Sequence, residues 1–173
     1  MKKLCFLFLM AISISAISQP SIKIYAYSQV VTPGPIPKGV TDEHGNRVNT
    51  KKESPVNYYI FAAYNPSAKI SIGEIWIKGK FYDPQIKNVD STPVVNINKN
   101  IPGNPVKETL VPVTKLKVIS IIPGKTRNSS LSRSSLFIKM TKHDELIVSY
   151  IYHRKKYFIE VKKIKVLQPV AGV

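Results

Sequence analysis

Hydrophobic and polar residues alternate along most of this chain with the period of two that is typical of β-strands. The stretch from Val56 to Tyr82 is rich in aromatic and β-branched residues and contains the only tryptophan. Asn65-Pro66-Ser67 divides this stretch, and the combination favours a turn because proline fixes φ and asparagine readily opens a turn. We therefore predict that Val56–Tyr82 forms a central β-hairpin around which the rest of the domain packs.

The second arm of this predicted hairpin changes phase at Gly73. Ile70 and Ile72, before the glycine, have even residue numbers, whereas Ile75 and Ile77, after it, have odd ones. In a regular strand, residues with even and odd numbers point to opposite faces. A regular strand would turn the later pair to the opposite face, and a β-bulge at Gly73–Glu74 restores a single apolar face. With the bulge, the pattern predicts that Phe81 also points inward, whereas Trp76 and Tyr82 point outward.

Other segments rich in β-branched and aromatic residues predict the remaining strands. They are Ile22–Val31, Pro93–Asn98, Leu110–Ile122, Leu136–Met140, Glu145–Tyr152 and Tyr157–Leu167. Between the last two strands, a four-residue loop would place Tyr150 opposite Ile159, which is a favourable pairing of an aromatic with a β-branched residue. Parity changes again at Lys162–Lys163, so a second bulge is predicted there.

Long connections rich in proline and polar residues separate the predicted strands. The predicted loops are residues 32–55, residues 83–108 and the basic, serine-rich residues 125–135. Beyond the first 18 residues, no stretch of ten residues has convincing helical periodicity. About seven antiparallel strands connected in this way predict an all-β fold, a single immunoglobulin-like or related β-sandwich with long Pro-rich loops.

The first 18 residues have the composition of a cleaved signal peptide. Lys2 and Lys3 provide a basic start, the apolar run Leu4–Ile17 follows, and small residues precede the predicted cleavage point after Ser18. This run has 14 residues, whereas a helix needs about 20 to span a bilayer. The expected mature chain is therefore one β-sandwich domain, residues 19–173, without a transmembrane span.

Removal of the signal peptide changes the composition of the protein. Cys5 is the only cysteine, so a chain that begins at Gln19 has no disulfide and depends on its hydrophobic core. About 155 residues are enough for such a core. Loss of Lys2 and Lys3 lowers the net charge from +16 to +14. The abundance of lysine, isoleucine and asparagine favours a bacterial protein of the periplasm, the cell surface or the extracellular medium.

Residues that carry catalytic chemistry are few, and we expect a protein that is not an enzyme and uses no cofactor. Residues 19–173 contain no cysteine nucleophile, no GxSxG motif and no glycine-rich phosphate loop. His44 and His143 each have acidic neighbours, but the close HExxH spacing of many zinc sites is absent. We interpret both histidines as polar turn residues and retain a metal-dependent hydrolase that uses them as an alternative.

The excess of basic residues is the strongest functional signal in the sequence. Six of them lie in and after the last predicted hairpin: Arg154, Lys155, Lys156, Lys162, Lys163 and Lys165. Such a surface attracts polyanions through counterion release and long-range attraction. Lysines that only solubilise the sheet and protect its edges are the alternative interpretation. Trp76 and Tyr82 are candidates for an aromatic surface site, because the bulge argument points both outward.

We therefore expect an exported bacterial protein that acts as a non-enzymatic binding or structural module of the cell envelope. Besides the hydrolase, two alternatives remain: a carbohydrate- or polyanion-binding module that uses the basic C-terminal hairpin, and an accessory subunit of an envelope complex. The expected partners are an anionic glycan, lipopolysaccharide or an envelope protein, and nucleic acid is not expected outside the cytoplasm.

The signal-peptide interpretation predicts that processed protein in the envelope fraction begins at or close to Gln19. Intact-mass measurement and mass spectrometry of the N-terminal peptide test this directly. Recovery of folded protein that retains Met1, or that carries a lipid on Cys5, would contradict the prediction.

Overall fold

A computed structural model describes residues 19–32, 54–98, 105–128 and 134–171. The predicted signal peptide, residues 1–18, lies outside this part of the chain, as do residues 33–53 of the first predicted loop and residues 129–133 of the last. Strands make up 64% of the described residues, which confirms the prediction of an all-β protein.

The described residues form eleven strands and one short helix. In chain order these are β1 (Ile22–Thr32), β2 (Val56–Tyr64), β3 (Ile70–Ile77), β4 (Lys80–Asn88), β5 (Val94–Asn98), β6 (Val106–Val111), β7 (Lys117–Arg127), α1 (Ser135–Thr141), β8 (Leu146–Tyr152), β9 (Lys155–Val161), β10 (Lys165–Val166) and β11 (Val170–Ala171). The bounds of β1, β5 and β8 agree with the predicted strands to within one residue.

Nine of the described strands form one large sheet. Its spatial order is β10-β1-β2-β7-β4-β3-β8-β9, with β11 also paired to β1, while β5 and β6 form a separate two-stranded sheet. Because β7 and β4 lie between β2 and β3, the predicted central hairpin Val56–Tyr82 is wrong. The alternation of apolar and polar residues predicts a strand but does not predict which strand lies beside it. In the structure β2 pairs with β1 on one side and with the apolar β7 on the other, where Ile60 lies opposite Ile121.

Two other pairs of strands are true hairpins with two-residue turns. Lys78 and Gly79, with φ of 42° and 98°, connect β3 to β4, and His153 and Arg154, with φ of 47° and 61°, connect β8 to β9. Positive φ at both central residues is typical of the type I′ turn, whose twist matches that of the flanking strands.

The turn at Lys78 corrects the prediction of one long arm that ends at Tyr82. Because the chain reverses there, Phe81 lies opposite Trp76 and Tyr82 lies opposite Ile75. Phe81 is therefore on the face of Trp76, and Tyr82 is on the face of Ile75, which reverses the predicted placement of both residues.

The last hairpin is confirmed, but its register differs from the prediction. The turn has two residues rather than four, so Tyr150 lies opposite Tyr157 and not opposite Ile159. This shift of two residues keeps each side chain on its predicted face, because side chains alternate with a period of two. The second bulge, predicted at Lys162–Lys163, is wrong: β9 ends before it, and the chain crosses over to run parallel to β1 as β10.

The predicted bulge at Gly73–Glu74 is confirmed, since the register of β3 against β8 shifts there. The hydroxyl of Ser149 in β8 donates a hydrogen bond of 2.9 Å to the backbone carbonyl oxygen of Glu74. A β-carbon at Gly73 would lie 2.7 Å from that hydroxyl oxygen, so a side chain there would displace the Ser149 hydroxyl from its hydrogen bond. The bulge turns Ile75 into the core, where it is fully buried.

The main core forms because the large sheet curls and packs one face against itself. This inner core consists of Ala26, Ile60, Ala62, Tyr64, Ile75, Ile77, Ile119, Ile121, Leu146, Val148 and Ile164. It contains residues of both β1 and β8, which are five strand positions apart in the sheet. Adjacent strands are about 4.8 Å apart, so a flat sheet would separate β1 and β8 by roughly 24 Å. β1 nevertheless approaches β9, one strand further along the sheet, to within 8 Å between Cα atoms, and this approach requires strong curvature.

The two-stranded sheet of β5 and β6 covers one part of the outer face. Leu110 of β6 packs there against Tyr27 and Phe61 of the large sheet. The hydroxyl of Tyr27 donates a hydrogen bond of 2.8 Å to the Leu110 carbonyl oxygen, so its buried polar group is satisfied.

Helix α1 covers another part of the outer face, over β3, β4 and β8. Its Phe137 and Met140 pack with Trp76 and Ile147 in a separate apolar cluster. The strand predicted at Leu136–Met140 is therefore wrong. The helix has only seven residues, too few for its 3.6-residue period to be distinguished from that of a strand.

The loop predicted at residues 83–108 is only partly a loop. β4 continues to Asn88, β5 lies within the predicted loop, β6 begins at Val106, and residues 99–104 lie outside the described part. Pro84 obscured this strand in the sequence, because a central strand rarely accepts proline. The register of β4 against β7 shifts immediately before Pro84, and this irregularity accommodates the residue.

Two further predicted boundaries differ from the structure. The strand predicted at Leu110–Ile122 is divided near Pro112 into the end of β6 and the start of β7. The loop predicted at residues 125–135 begins later, because β7 extends to Arg127, and α1 already starts at its last residue, Ser135.

The C-terminal segment covers the edge of the large sheet beside β1. The backbone N–H of Leu167 donates to the carbonyl oxygen of Ser28 at 2.8 Å, and the side-chain amide of the buried Gln29 donates to the carbonyl oxygen of Gln168 at 2.8 Å. β1 is therefore paired along both of its edges, by β2 and by β10 with β11.

Glu145 holds the crossover between β9 and β10 against the start of β8. Its carboxylate accepts a hydrogen bond of 2.7 Å from the backbone N–H of Ile164 and lies 3.3 Å from the Nζ atom of Lys78. Ile164 is 1% exposed and belongs to the inner core. The Ile164 hydrogen bond, followed by the contact with Lys78, lowers the pKa of Glu145 against the opposing effect of burial.

The inner face can be tested by truncation of Ile75. Ile75→Ala should lower the free energy of unfolding by about 2–5 kcal/mol, because the residue is fully buried. Ile86→Ala, the same truncation at a residue that is 44% exposed, should cost clearly less. Gly73→Ala should also destabilise the protein, since it displaces the Ser149 hydroxyl. Denaturant midpoints measure all three, and equal losses for both isoleucines would contradict the bulged register.

Acid sensitivity tests the role of Glu145. Because folding lowers its pKa, its contribution to stability is complete above the ordinary pKa of 4.5 and is lost as the pH falls through the lower folded value. Glu145→Gln should lower stability at about pH 7 and narrow the difference in stability between about pH 7 and about pH 3. Urea midpoints at both pH values test this. If the difference in stability between the two pH values is the same in the variant and in the unmodified protein, Glu145 does not contribute to the acid sensitivity.

Candidate anion-binding site

The β2–β3 connection, the start of β7 and the β8–β9 turn lie together at one end of the large sheet. Tyr64, the last residue of β2, lies opposite Lys117, the first residue of β7. Ile70, the first residue of β3, lies opposite Tyr152, the last residue of β8. The sheet order thus brings together segments that are far apart in the chain.

A cleft of about 500 Å³ lies at this end, and we call it the basic cleft. Lys69, Lys117 and Arg154 line it together with His153, and none of the described residues that line it is acidic. Ile151, which is 44% exposed, adds apolar surface to its wall. The basic cleft therefore combines three cations with an apolar side.

The turn that carries His153 and Arg154 into the basic cleft has a strained backbone. Both residues have positive φ, a conformation that glycine and asparagine adopt more readily than histidine or arginine. Such a residue costs of the order of 1–3 kcal/mol, and strained residues of this kind cluster at functional sites. The His153 ring lies edge-on to the ring of Tyr152, with 4.2 Å between the centroids. Both side chains of this turn line the basic cleft.

Elsewhere on the described surface, carboxylates neutralise several of the cations. Glu74 lies 3.6 Å from Arg127 and 3.0 Å from Lys156. Asp83 contacts Arg127 at 2.7 Å, and this hydrogen bond raises the pKa of the guanidinium group. In the part of the chain that the structure describes, no ion pair involves a cation of the basic cleft. Other exposed lysines of the described residues, such as Lys87 and Lys107, also form none of these ion pairs, so the distinguishing feature of the basic cleft is that three cations line one cavity.

The six residues predicted to bind a polyanion do not form one surface. Arg154 lines the basic cleft, and the exposed Lys155 follows it at the same turn. Lys156 is engaged by Glu74. The other three residues follow the opposite end of β9, roughly 20 Å away for a strand of this length: Lys162, Lys163 and Lys165. A binding role for these lysines stays a prediction.

Lys165 has a structural contact of its own. Its Nζ atom lies 2.5 Å from a carboxylate oxygen of Glu108 in β6 and 5.8 Å from the ring centroid of Tyr27. The hydrogen bond that Lys165 donates to Glu108 raises the pKa of Lys165. This contact connects β10 to the two-stranded sheet that covers the outer face.

Lys69 and Lys117 are the residues of the basic cleft that sequence reasoning missed. Lys69 lies in a short connection, and Lys117 begins a strand nearly fifty residues later. Neither belongs to a run of basic residues as dense as the one at Arg154. Only the pairing of β2 with β7 brings them to the same cleft.

The prediction of an exposed aromatic surface formed by Trp76 and Tyr82 is wrong. Trp76 is 8% exposed and packs edge-to-face against Phe137 of α1, with 6.3 Å between the ring centroids. Tyr82 points to the other face of the sheet and packs against the inner core. Trp76 does lie on the predicted outer face, but the helix covers that face.

The described residues contain no metal site that would support the alternative of a metal-dependent hydrolase. His44 lies outside the described residues, and His143 is exposed after the end of α1. Its neighbour Asp144 is buried, and one of its carboxylate oxygens, Oδ1, has no hydrogen-bond partner. Among the described residues, no group of three or more His, Cys, Asp or Glu side chains is arranged to hold a metal ion. The use of His44 and His143 stays a prediction.

Comparison with known proteins adds no relative: no protein-family model, no curated protein and no solved structure matches this chain. Within the described residues, no helix is both long enough and apolar enough to cross a membrane.

Proposed function

We propose that the protein is a non-enzymatic binding module that recognises an anionic glycan or a related polyanion of the bacterial cell envelope through the basic cleft. The observation that carries this proposal is the arrangement of Lys69, Lys117 and Arg154 around one cleft whose described lining contains no acidic residue. A surface of this kind accumulates anionic ligands from solution through its electrostatic field.

The side chains of the basic cleft suit phosphate, sulfate or carboxylate groups. Lys69 and Lys117 act as flexible point charges, whereas the planar guanidinium of Arg154 can donate two parallel hydrogen bonds to one anionic group. The partly exposed Ile151 offers an apolar surface for the C–H face of a sugar ring. An acidic or phosphorylated glycan presents both kinds of group in one chain.

An envelope location is part of the proposal, and the pattern of residues 1–18 supports it. Residues 19–173 contain no cysteine, so export to an oxidising compartment would not endanger the fold. Periplasm, cell surface and extracellular medium are all compatible with this composition.

A β-sandwich is the finer description of the fold that we propose. The inner core unites β1, β2 and β7 with β3 and β8, so the two halves of the curled sheet face each other as the two sheets of a sandwich do. An immunoglobulin-like arrangement is one form of this packing.

An accessory subunit of an envelope complex is the second candidate function. β9 is the last strand in the order of the large sheet, so within the described residues one of its edges has no strand partner. Such an edge can accept a strand of another protein. Lys155, Lys156 and Glu160 lie along β9, and charged residues of this kind commonly protect an edge from pairing, which makes this function the weaker candidate.

Heparin retention tests the basic cleft, with heparin as the polyanion probe. The triple variant K69A/K117A/R154A should elute at a much lower salt concentration than the unmodified protein. The slope of log affinity against log salt should decrease by about one for each cation that contacts the polyanion.

A matched control removes three exposed lysines remote from the basic cleft: K80A/K125A/K142A. This variant has the same net charge as the cleft variant but should retain most of its affinity for heparin. Equal losses in the two triple variants would show that overall charge, and not the cleft, determines binding, and would contradict the proposal.

A further inference from the structure

The connection between β6 and β7 exposes apolar side chains next to the basic cleft. Val113 is 75% exposed and Leu116 is 40% exposed, and Lys115 and Lys117 flank Leu116. Single exposed apolar residues are common on protein surfaces. Here Ile151 of the basic cleft adds a third at the same end of the sheet.

Hydrogen bonds fix this connection in place. The side-chain oxygen of Thr92 accepts a hydrogen bond from the backbone N–H of Thr114 at 3.1 Å, and its hydroxyl faces the Thr114 carbonyl oxygen at 3.4 Å. The Thr114 side-chain oxygen accepts from the backbone N–H of Leu116 at 3.1 Å. A segment that is already ordered loses little conformational entropy when it binds. Val113 and Leu116 are thus presented in a defined position.

Lys117 connects this apolar surface to the basic cleft. It lines the basic cleft with Lys69 and Arg154, and it also lines a neighbouring cleft with Leu116 and Asp90. Asp90 is the acidic residue of that neighbouring cleft, so the cations outnumber the acids around Lys117. Among the described residues, this end of the sheet therefore combines an excess of positive charge with exposed apolar side chains.

We propose that this end of the protein docks on the surface of an anionic lipid bilayer. In this arrangement Val113 and Leu116 enter the headgroup region, while Lys69, Lys117 and Arg154 contact lipid phosphates. Apolar residues beside basic residues are the combination that holds peripheral proteins in a membrane interface, because apolar burial and attraction to anionic lipids act together. The inference rests on the proposed function, since it names lipid headgroups as the source of the anionic groups that the basic cleft binds.

Co-sedimentation with vesicles tests the inference on the full exported chain. Vesicles of equimolar phosphatidylglycerol and phosphatidylcholine should bind the protein, whereas pure phosphatidylcholine vesicles should not. The variant V113S/L116S should lower the partition coefficient by about tenfold while heparin retention stays unchanged. The matched control V95S/I97S changes two residues of β5 that are 40% and 46% exposed, and it should bind vesicles as the unmodified protein does.

The outcomes separate this inference from the proposed function. If V113S/L116S binds vesicles as tightly as the unmodified protein while K69A/K117A/R154A does not bind, attraction to charge alone explains binding and the docking inference is wrong. If the protein ignores anionic vesicles but is retained on heparin through the cleft, docking is also wrong and the polyanion proposal stands. If the triple-lysine control variant loses heparin retention while K69A/K117A/R154A keeps it, the polyanion proposal and the docking inference are both wrong.

Discussion

The pairing of β4 with β7 is the interaction on which the rest of the structure depends. Seven residue pairs, from Phe81 opposite Arg127 to Asn88 opposite Ile119, join β1, β2 and β7 to β4, β3, β8 and β9. Without this ladder the large sheet would be two smaller sheets, and nothing in the sheet order would position the inner face of one half against the other. The inner core is the consequence, because a continuous sheet that curls can bury Ile60 and Ile75 in the same cluster.

The same pairing determines where the charges lie. Lys69, Lys117 and Arg154 are widely separated in sequence, and they meet at one cleft because the order of strands places the β2–β3 connection, the start of β7 and the β8–β9 turn at one end. The acidic residues are distributed differently. Glu74, Asp83, Glu108 and Glu145 each contact a cation away from the basic cleft. The convergence of these three cations on one cleft is thus a property of the fold more than of any one basic run.

Local patterns could be predicted from the sequence, whereas partners could not. The phase change around Gly73 correctly indicated a bulge, since a period of two leaves no other way to bury Ile72 and Ile75 on one face. The hairpin between β2 and β3 was wrong because periodicity contains no information about which strand lies alongside. Trp76 lies on the outer face as predicted, but a helix too short to produce a recognisable period buries it. The basic cleft was only partly predictable: Arg154 belongs to a visible basic run, and Lys69 and Lys117 join it only through the fold.

Nuclear Overhauser contacts between backbone protons give the most direct test of this account. The sheet order predicts cross-strand contacts between Lys87 of β4 and Ser120 of β7, and between Ile60 of β2 and Ile121 of β7. A hairpin between β2 and β3 would instead bring Phe61 close to Gly73. Detection of the contacts to β7, with none between Phe61 and Gly73, is the result that the account predicts. Contacts between Phe61 and Gly73 in place of those to β7 would contradict the curled sheet and the basic cleft together.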